Sequence, residues 1–236
     1  MPLYAEFAEY YEAIFPFSET VYSFLRRFLT VAGTRCLDIG CGTGHYAGRL
    51  AADGFTTVGI DLDAAMIAYA KQHYPNATFH CMNMLDIAGL GESFDTIYCI
   101  GNTAAHLTQV QFARFLKTVN HILSPGGSWI LQVMNWDYVL TQAHVTFPPL
   151  EAKQEPVTFL REYRDVSEQA VIFHTRLKSG AQLLFEGNVS LYPLRSDQYL
   201  RLHEQVGFKC VGHFADYAGH SFDPDVFSAQ VFVFRK

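Results

Sequence analysis

The sequence predicts an α/β fold in which helices cover both faces of a mostly parallel sheet, a doubly wound arrangement. Three observations indicate this fold. From Thr34 onward, short apolar runs typical of strands alternate with segments of helical spacing, which is the pattern of right-handed βαβ crossovers. A glycine loop follows the first of these strands. After Asn135 the helical spacing gives way to a period of two, which is typical of an antiparallel meander.

The composition favours a single globular domain that does not bind nucleic acid. The chain has 236 residues, 50% of them hydrophobic, which is enough for one domain with a substantial core. Its formal net charge is -6, and no run of basic residues is longer than Arg26-Arg27. Because nucleic acids require a basic protein surface against their phosphates, we expect no nucleic-acid partner.

The cysteines and the apolar runs predict a soluble, cytoplasmic protein without a membrane segment. The five cysteines form no CxxC pair, and most fall in strand-like apolar runs, as buried thiols of a reducing compartment do. No apolar run reaches the roughly 18 residues of a membrane span. The first basic residue is Arg26, which argues against a signal peptide. No His/Asp cluster has the spacing of metal ligands, so we expect no metal, and the oligomeric state stays open.

Two helices are predicted in segment 1–32. In the first, Leu3–Phe15, aromatic and apolar residues recur at helical spacing with acids between them, and Pro16 ends the helix. The second begins after Ser18, a suitable N-cap, and extends to Leu29.

The alternating segment follows over residues 34–135. Its predicted strands are Cys36–Ile39, Thr56–Ile60, Thr78–Cys81, Thr96–Ile100 and Trp129–Met134. Its predicted helices are Tyr46–Ala52, Ala64–His73 and Gln109–Leu123. A predicted turn at Ser124-Pro125-Gly126-Gly127 leads into the fifth strand.

An insertion over residues 136–195 interrupts this alternation. Its predicted antiparallel strands are Thr158–Val166, Ala170–Lys178 and Ala181–Leu191. The pattern of residues 196–236 then predicts a helix, Asp197–Val206, and a terminal hairpin whose strands are Phe208–Phe214 and Ser228–Phe234. We therefore expect one domain over 1–236 whose core is interrupted by a meander that is too long to be a plain connection.

The glycine loop contains Gly40, Gly42 and Gly44, between a strand and a helix. Such a loop offers backbone N–H groups and the positive end of the helix dipole to an anion. The dinucleotide fingerprint is G-x-G-x-x-G, and here the third glycine comes one position early. Asp38, just before the loop, would repel a pyrophosphate but suits an ammonium group. S-adenosylmethionine carries a carboxylate, an ammonium, a sulfonium and a nucleoside, so it fits both features.

Asp61 ends the second predicted strand. A carboxylate at that position can accept hydrogen bonds from both ribose hydroxyls of a nucleoside. The alternative is an N-cap for the helix that begins at Ala64, for which Asp63 is better placed. We therefore assign Asp61 to the ribose.

Four stretches of the chain carry a family resemblance. In order, they are LDIGCGTGHYA, GIDLDAAMIAYA, FDTIYCIGNTAAHL and LSPGGSWILQV. Together with the closing hairpin they resemble the signatures of class I S-adenosylmethionine-dependent methyltransferases of the small-molecule type. The resemblance implies a seven-stranded sheet with one antiparallel strand near its edge. It also implies that the glycine loop, including Cys41, holds the methionyl part of the cofactor.

By the same resemblance, the segment after the third strand contacts the adenine. The family often has Gly-Asp-Met there, and this chain reads Met82-Asn83-Met84. Asn83 keeps an acceptor oxygen without the charge, and Asp86 is the second candidate. Leu62 and Met84 would sandwich the ring, although either can belong to the core instead.

The resemblance places the methyl group against the end of the fourth strand. Backbone carbonyls of Ile100 and Gly101 would accept from the cofactor ammonium, and His106 is the candidate general base. The alternative for His106 is a local packing or capping residue. On the N-terminal helix, Tyr11 would close over the cofactor as part of a lid, unless this helix is an ordinary amphipathic one.

The insertion of such enzymes covers the acceptor site. From this resemblance we select Tyr138, Arg176 and Tyr192 as substrate residues. Further candidates on the insertion are Arg161, Tyr163, His174 and Arg195. About half of the residues on alternating strands face solvent, so a solvated strand face is the alternative for each of them.

We therefore expect an enzyme that transfers a methyl group from S-adenosylmethionine to N or O of a small-molecule acceptor by direct displacement. One alternative is an NAD-type oxidoreductase, which the early third glycine and Asp38 disfavour. Another is a methyltransferase-like binding subunit without catalysis. Methylation of nucleic-acid bases is disfavoured because no Asn-Pro-Pro-Tyr-type signature follows the fourth strand, where Gly101-Asn102-Thr103-Ala104 stands instead.

Overall fold

The computed structural model describes residues 8–29, 31, 33–152 and 156–236. Twelve strands are present in this part of the chain: β1 (Arg35–Ile39), β2 (Thr56–Asp61), β3 (Thr78–Cys81), β4 (Phe94–Cys99), β5 (Leu123–Met134), β6 (Val145–Thr146), β7 (Leu150–Glu151), β8 (Val157–Arg164), β9 (Val171–Ser179), β10 (Gln182–Leu191), β11 (Lys209–Phe214) and β12 (Ala229–Arg235).

Seven α-helices accompany these strands in the described residues: α1 (Ala8–Ile14), α2 (Glu19–Arg26), α3 (His45–Ala52), α4 (Ala64–His73), α5 (Gln109–Ile122), α6 (Trp136–Val139) and α7 (Ser196–Gln205). Two 3₁₀ helices, Met84–Leu90 and Thr103–His106, follow β3 and β4 and were not predicted. None of these helices is both long and apolar enough to cross a bilayer. The part of the predicted first helix that precedes Ala8 lies outside the described residues.

The central sheet has seven strands in the order β11-β12-β5-β4-β1-β2-β3. All neighbours from β5 to β3 are parallel, and β12 is antiparallel to both β5 and β11. The doubly wound α/β fold with one antiparallel strand next to the edge is therefore confirmed. In this order β1 and β4 lie side by side, so the segments that follow them meet at one edge of the sheet.

Both faces of the central sheet are buried, which explains its apolar strands. Along β5, Trp129 and Leu131 pack in one cluster with Phe115 of α5, whereas Ile130 packs in another with Phe24 of α2. Alternate residues of a single strand thus contribute to two cores.

The start of β5 corrects the predicted turn at 124–127. Leu123 already pairs with Phe94, and Ser128 pairs with Thr96, so the four residues between them bulge from a strand that has begun. Gly126 at φ 74° supplies the left-handed conformation that the bulge requires.

The insertion forms its own antiparallel sheet. Its strands are ordered β10-β9-β8-β6, and β7 also pairs with β8. The three long strands of the meander are therefore confirmed with boundaries within two residues. The two-residue strands β6 and β7 and the one-turn α6 were not predicted, because segments so short carry no readable periodicity.

Candidate active site

The glycine loop after β1 is held in a conformation that favours glycine. Gly40, Gly42 and Gly44 have φ values of 77°, 54° and 80°. A Cβ at Gly40 would lie 2.4 Å from Cγ2 of Thr103, and a Cβ at Gly44 would lie 2.6 Å from the Phe79 ring. The loop therefore requires glycine both for its backbone angles and for its close packing.

The N–H groups of the loop are bonded within the chain. Gly40 N and Cys41 N both donate to Ile60 O, at 2.8 and 2.9 Å. Gly42 N donates to Oδ2 of Asp61 at 2.9 Å, and Gly44 N donates to Cys41 O at 2.9 Å. The expected open cradle of N–H groups for an anion is thus not formed by these four residues. The loop is shaped for close approach and does not offer these groups to a pyrophosphate.

Asp38 lies in β1 beneath this loop and is 2% exposed. Its Oδ1 has no hydrogen-bond partner in the described residues. Burial raises the pKa of the Asp38 carboxyl to about 8, against the opposite effect of the Tyr98 hydroxyl, and the charge of Asp61 raises it further. A buried carboxylate oxygen without a donor can accept a hydrogen bond from a cationic donor such as an ammonium group, so the predicted role of Asp38 stays a prediction.

Asp61 connects the end of β2 to the glycine loop. Its Oδ2 accepts from Gly42 N, and its Oδ1 accepts from Asp63 N at 2.9 Å. Burial raises the pKa of Asp61, whereas these backbone hydrogen bonds lower it. Asp63 is the residue that caps α4, accepting from Ala65 N at 2.8 Å. Each carboxylate oxygen of Asp61 has a second lone pair, so the group can still accept from ribose hydroxyls.

Helix α1 lies against the glycine loop. The nearest atoms to a Cβ at Gly42 would be those of the Tyr11 ring, at 3.3 Å. The Tyr11 and Phe15 ring centroids are 5.1 Å apart, and Phe15 is 5.7 Å from Phe159 of β8. Helix α1 thus fills the space between the loop and the inserted sheet.

The end of β4 forms the opposite wall. Thr103 Oγ1 donates to Ile100 O at 2.8 Å, so this carbonyl, predicted to accept from the cofactor, already has a partner. Gly101 follows at φ 72° and Asn102 at φ 64°, a conformation unusual outside glycine but tolerated by asparagine. Asn102 Oδ1 accepts from Met134 N at 3.0 Å, so its side chain ties the wall to β5. The positive φ of Asn102 has no signal in the sequence, and we did not predict it.

Comparison with known proteins identifies this arrangement. Residues 36–127 match a family model described as a methyltransferase domain. A glycine/sarcosine N-methyltransferase of Halorhodospira halochloris is 26% identical over 213 residues, which are 86% of this chain and 77% of that enzyme. A ubiquinone biosynthesis O-methyltransferase of Coxiella burnetii is 26% identical over 119 residues, 49% of this chain and 50% of that enzyme.

The solved structure of the CcbJ methyltransferase from Streptomyces caelestis has the same fold. The two agree with a TM-score of 0.82 over 99% of this chain and 97% of the other, at 18% sequence identity. The chain carries a methyltransferase domain and has the fold of class I S-adenosylmethionine-dependent methyltransferases. Its cofactor is S-adenosylmethionine.

The residues predicted at the adenine of this methyltransferase lie around the 3₁₀ helix after β3. Leu62 is 68% exposed, which leaves its side chain accessible. Asn83 Oδ1 caps the 3₁₀ helix by accepting from Leu85 N at 2.9 Å. Asp86 is exposed in the first turn of that helix, and Met84 packs partly against the core. Adenine recognition by these residues stays a prediction. One lone pair of Asn83 Oδ1 is already occupied by the hydrogen bond from Leu85 N.

His106 and Tyr192 of the methyltransferase lie near the end of β4, and both are half-buried. His106 ends the 3₁₀ helix that begins at Thr103, and burial lowers its pKa. Tyr192 N donates to Ala105 O at 2.7 Å, which fixes the end of β10 beside His106. The structure therefore brings these two predicted residues into one neighbourhood next to the β4 wall.

The inserted sheet of the methyltransferase has an inner and an outer face. The inner face carries Phe159, Arg161 and Tyr163, which contact α1, Phe147 and Trp136. The outer face carries a polar group in which Glu162 lies near several basic residues. They are His144, Arg164, His174 and Arg176.

Three of the predicted substrate residues therefore lie in different places. Arg176 is on the outer face, where its guanidinium is 4.0 Å from Glu162, and the structure does not bring it to the glycine loop. Tyr138 packs its ring 5.7 Å from that of Phe227, which is 5.7 Å from Phe147 at the inner face. Tyr192 alone of the three lies beside the β4 wall.

Proposed function

We propose that this methyltransferase transfers the methyl group to the nitrogen of a small primary or secondary amine. Two relatives that align with 86% of the chain are N-methyltransferases, whereas the O-methyltransferase aligns with 49% of it. One structural observation supports nitrogen further, namely the state of His106 in the wall after β4.

An amine in water is mainly protonated at neutral pH and must lose a proton before it can act as a nucleophile. Burial lowers the pKa of His106, which favours the neutral imidazole, the form that can accept that proton. A neutral imidazole is far too weak a base to deprotonate an aliphatic alcohol, whose proton is much less acidic. His106 therefore suits the deprotonation of an ammonium group.

The remaining residues supply binding and positioning. When bound, S-adenosylmethionine supplies an electrophilic methyl group, whose bond to sulfur breaks as the acceptor lone pair forms the new bond. We propose that Asp38 pairs with the cofactor ammonium, and that Asp61 accepts from the ribose. Tyr11 on the N-terminal segment 1–32 would cover the cofactor, while the insertion 136–195 would roof the acceptor. Holding the acceptor in line and excluding water can account for much of the rate.

The test is a direct comparison of acceptors. Purified protein and methyl-labelled S-adenosylmethionine are incubated with matched pairs that differ only in the nucleophile, such as phenethylamine and 2-phenylethanol, or benzylamine and benzyl alcohol. Phenols of the same size are tested beside them. We expect N-methyl products, identified by mass spectrometry, and a lower turnover of His106→Gln at pH 7 with unchanged cofactor affinity. Label transferred to phenols and to no amine would establish oxygen as the acceptor atom.

We further propose that the enzyme acts on small molecules in the cytoplasm and not on nucleic acid. The formal charge of -6 opposes contact with phosphates. All five cysteines are unpaired thiols, as in a reducing compartment. Gel-shift measurements with RNA and DNA at low salt would reveal a nucleic-acid affinity if it exists.

A further inference from the structure

Arg161 occupies a central position on the inner face of the inserted sheet. Two residues before it on β8, Phe159 contacts Phe15, the residue that follows α1. Two residues after it, the Tyr163 hydroxyl accepts from Asn102 Nδ2 at 3.4 Å, at the end of β4. Because alternate residues of a strand share a face, Arg161 stands between the α1 side and the β4 side of the site. The strand β8 thus spans the site, with Arg161 at its middle.

Arg161 is half-buried, and its guanidinium is only partly hydrogen-bonded. Its Nη2 donates to Pro148 O at 3.2 Å, and its carbon lies 5.1 Å from the centre of the Phe147 ring. Its Nε is buried and has no partner among the described residues. Thr175, directly across on β9, also has a buried hydroxyl without a partner in this part of the chain. A buried N–H donor of a charged group without a partner is costly, so Arg161 is more informative than an arginine whose donors all reach solvent.

The other arginines of the same sheet provide a contrast. Arg164 and Arg176 lie on the outer face, and each is within 4.0 Å of Glu162. Arg161 has no acidic partner within 4.0 Å in the described residues. Burial lowers the pKa of the Arg161 guanidinium, in keeping with a cation that lacks a counter-charge.

We propose that Arg161 binds a carboxylate of the methyl acceptor, so that the acceptor is a small amine that also carries an acid group. This inference rests on the proposed N-methylation. The planar fork of arginine suits a carboxylate, since Nε–H and a neighbouring N–H can donate in parallel to its two oxygens. One guanidinium with aromatic rings beside it fits a single negative charge, whereas a phosphate is usually held by several donors and cations.

The test is the binding of a carboxylate and of its uncharged analogue in the presence of saturating S-adenosylhomocysteine. 3-Phenylpropionate and 3-phenylpropionamide have nearly the same shape, and their phenyl group suits the aromatic inner face. Affinities are measured by ligand-observed NMR titration for the wild type, Arg161→Gln and Arg161→Lys. Arg164→Gln is the matched control, because Arg164 lies on the same strand but on the outer face.

We expect the wild type to bind the carboxylate at least tenfold more tightly than the amide, and Arg161→Gln to lose that preference. Arg161→Lys should keep part of it, and Arg164→Gln all of it, with the affinity for S-adenosylhomocysteine within twofold throughout. A wild type without preference, or an equal loss in Arg164→Gln, would overturn the inference. If Arg161→Gln does not fold, the inference is still tested by Arg161→Lys and by the affinities of the wild type for the carboxylate and the amide.

Methylation assays with the wild-type enzyme test this inference separately from the proposed function. Methylation of phenethylamine and phenylalanine at equal efficiency would support N-methylation and refute the role of Arg161. Methylation of phenols alone would refute N-methylation, while the carboxylate titration would still report on Arg161.

Discussion

Replacement of Asp38 by asparagine should stabilise the cofactor-free enzyme and weaken its cofactor binding. The ionised carboxylate is buried, and its pKa is raised from the ordinary value of 3.8 to about 8. At about 1.36 kcal/mol per pH unit, this increase corresponds to about 5–6 kcal/mol that ionisation costs the folded protein. Asparagine keeps nearly the same shape without the charge.

The sign of the pH dependence follows from the raised pKa. Below about pH 4 the carboxyl is protonated in both the folded and the unfolded protein, so it adds no pH dependence. Between about pH 4 and pH 8 the unfolded chain loses the proton while the folded protein keeps it, so the wild type loses stability as the pH rises. Above the folded pKa of about 8 the difference is constant. We expect Asp38→Asn to exceed the wild type in unfolding free energy by about 2–5 kcal/mol at pH 9, and by little at pH 4.

Two measurements test this prediction. Urea unfolding of both proteins at pH 4, 6 and 9 gives the difference in stability, with Asp197→Asn, an exposed acid on α7, as the control. Calorimetric titration with S-adenosylhomocysteine at pH 7 should show at least tenfold weaker binding to Asp38→Asn, because the ammonium loses its charged partner. If the unfolding free energies of the wild type and of Asp38→Asn differ by the same amount at all three pH values, the burial argument is refuted. An unchanged affinity for S-adenosylhomocysteine would refute the assignment of the ammonium to Asp38.

Three further predictions concern the loop and the lid. Asp61→Ala should weaken S-adenosylhomocysteine binding more than tenfold and lower the unfolding free energy by about 1–3 kcal/mol, because the N–H of Gly42 loses its acceptor; calorimetry and urea unfolding that both match the wild type would contradict this. Gly40→Ala should lower the unfolding free energy by about 1–3 kcal/mol, since the new Cβ would meet Thr103 at a φ of 77°; the double variant with Thr103→Ala should recover the steric part. Tyr11→Ala should weaken S-adenosylhomocysteine binding about three- to tenfold without changing acceptor preference, because its ring borders the loop; competition between two acceptors would reveal the opposite outcome.

The central sheet could be predicted because each of its parallel strands has the same local sequence pattern. Buried parallel strands are continuous apolar runs, and the helices between them repeat at a readable period. The position of Asp61 was readable in the same way, as the end of the second such run. Its bond to Gly42 was not, because that contact depends on how closely β1 and β2 align.

The acceptor side could not be predicted, because it depends on which face of the inserted sheet is inside. Arg161 and Arg176 belong to neighbouring strands of similar composition, and Leu160 pairs with Arg176. The two arginines therefore lie on opposite faces. Apolar residues such as Leu160 and Ile172 also occur on the outer face, so hydrophobic alternation did not reveal which arginine lies on the inner face. The packing of the inserted sheet against α1 and the β4 wall determines which of its faces is the inner one.

The alternation along β8 gives this fold an unusual route to a new acceptor. The turn after β8, with Asp165 at φ 49° and Ser167 bonded to Ala170, holds the strand in register. A single residue deleted from β8 between Val157 and Arg161, with the pairing of Val157 kept, would move the side chains that follow to opposite faces. Glu162 would then occupy the place of Arg161, and the roof would present an anion where it now presents a cation. A lineage of such enzymes can therefore invert the charge of the acceptors it selects through one deletion, while the glycine loop and its carboxylates stay unchanged.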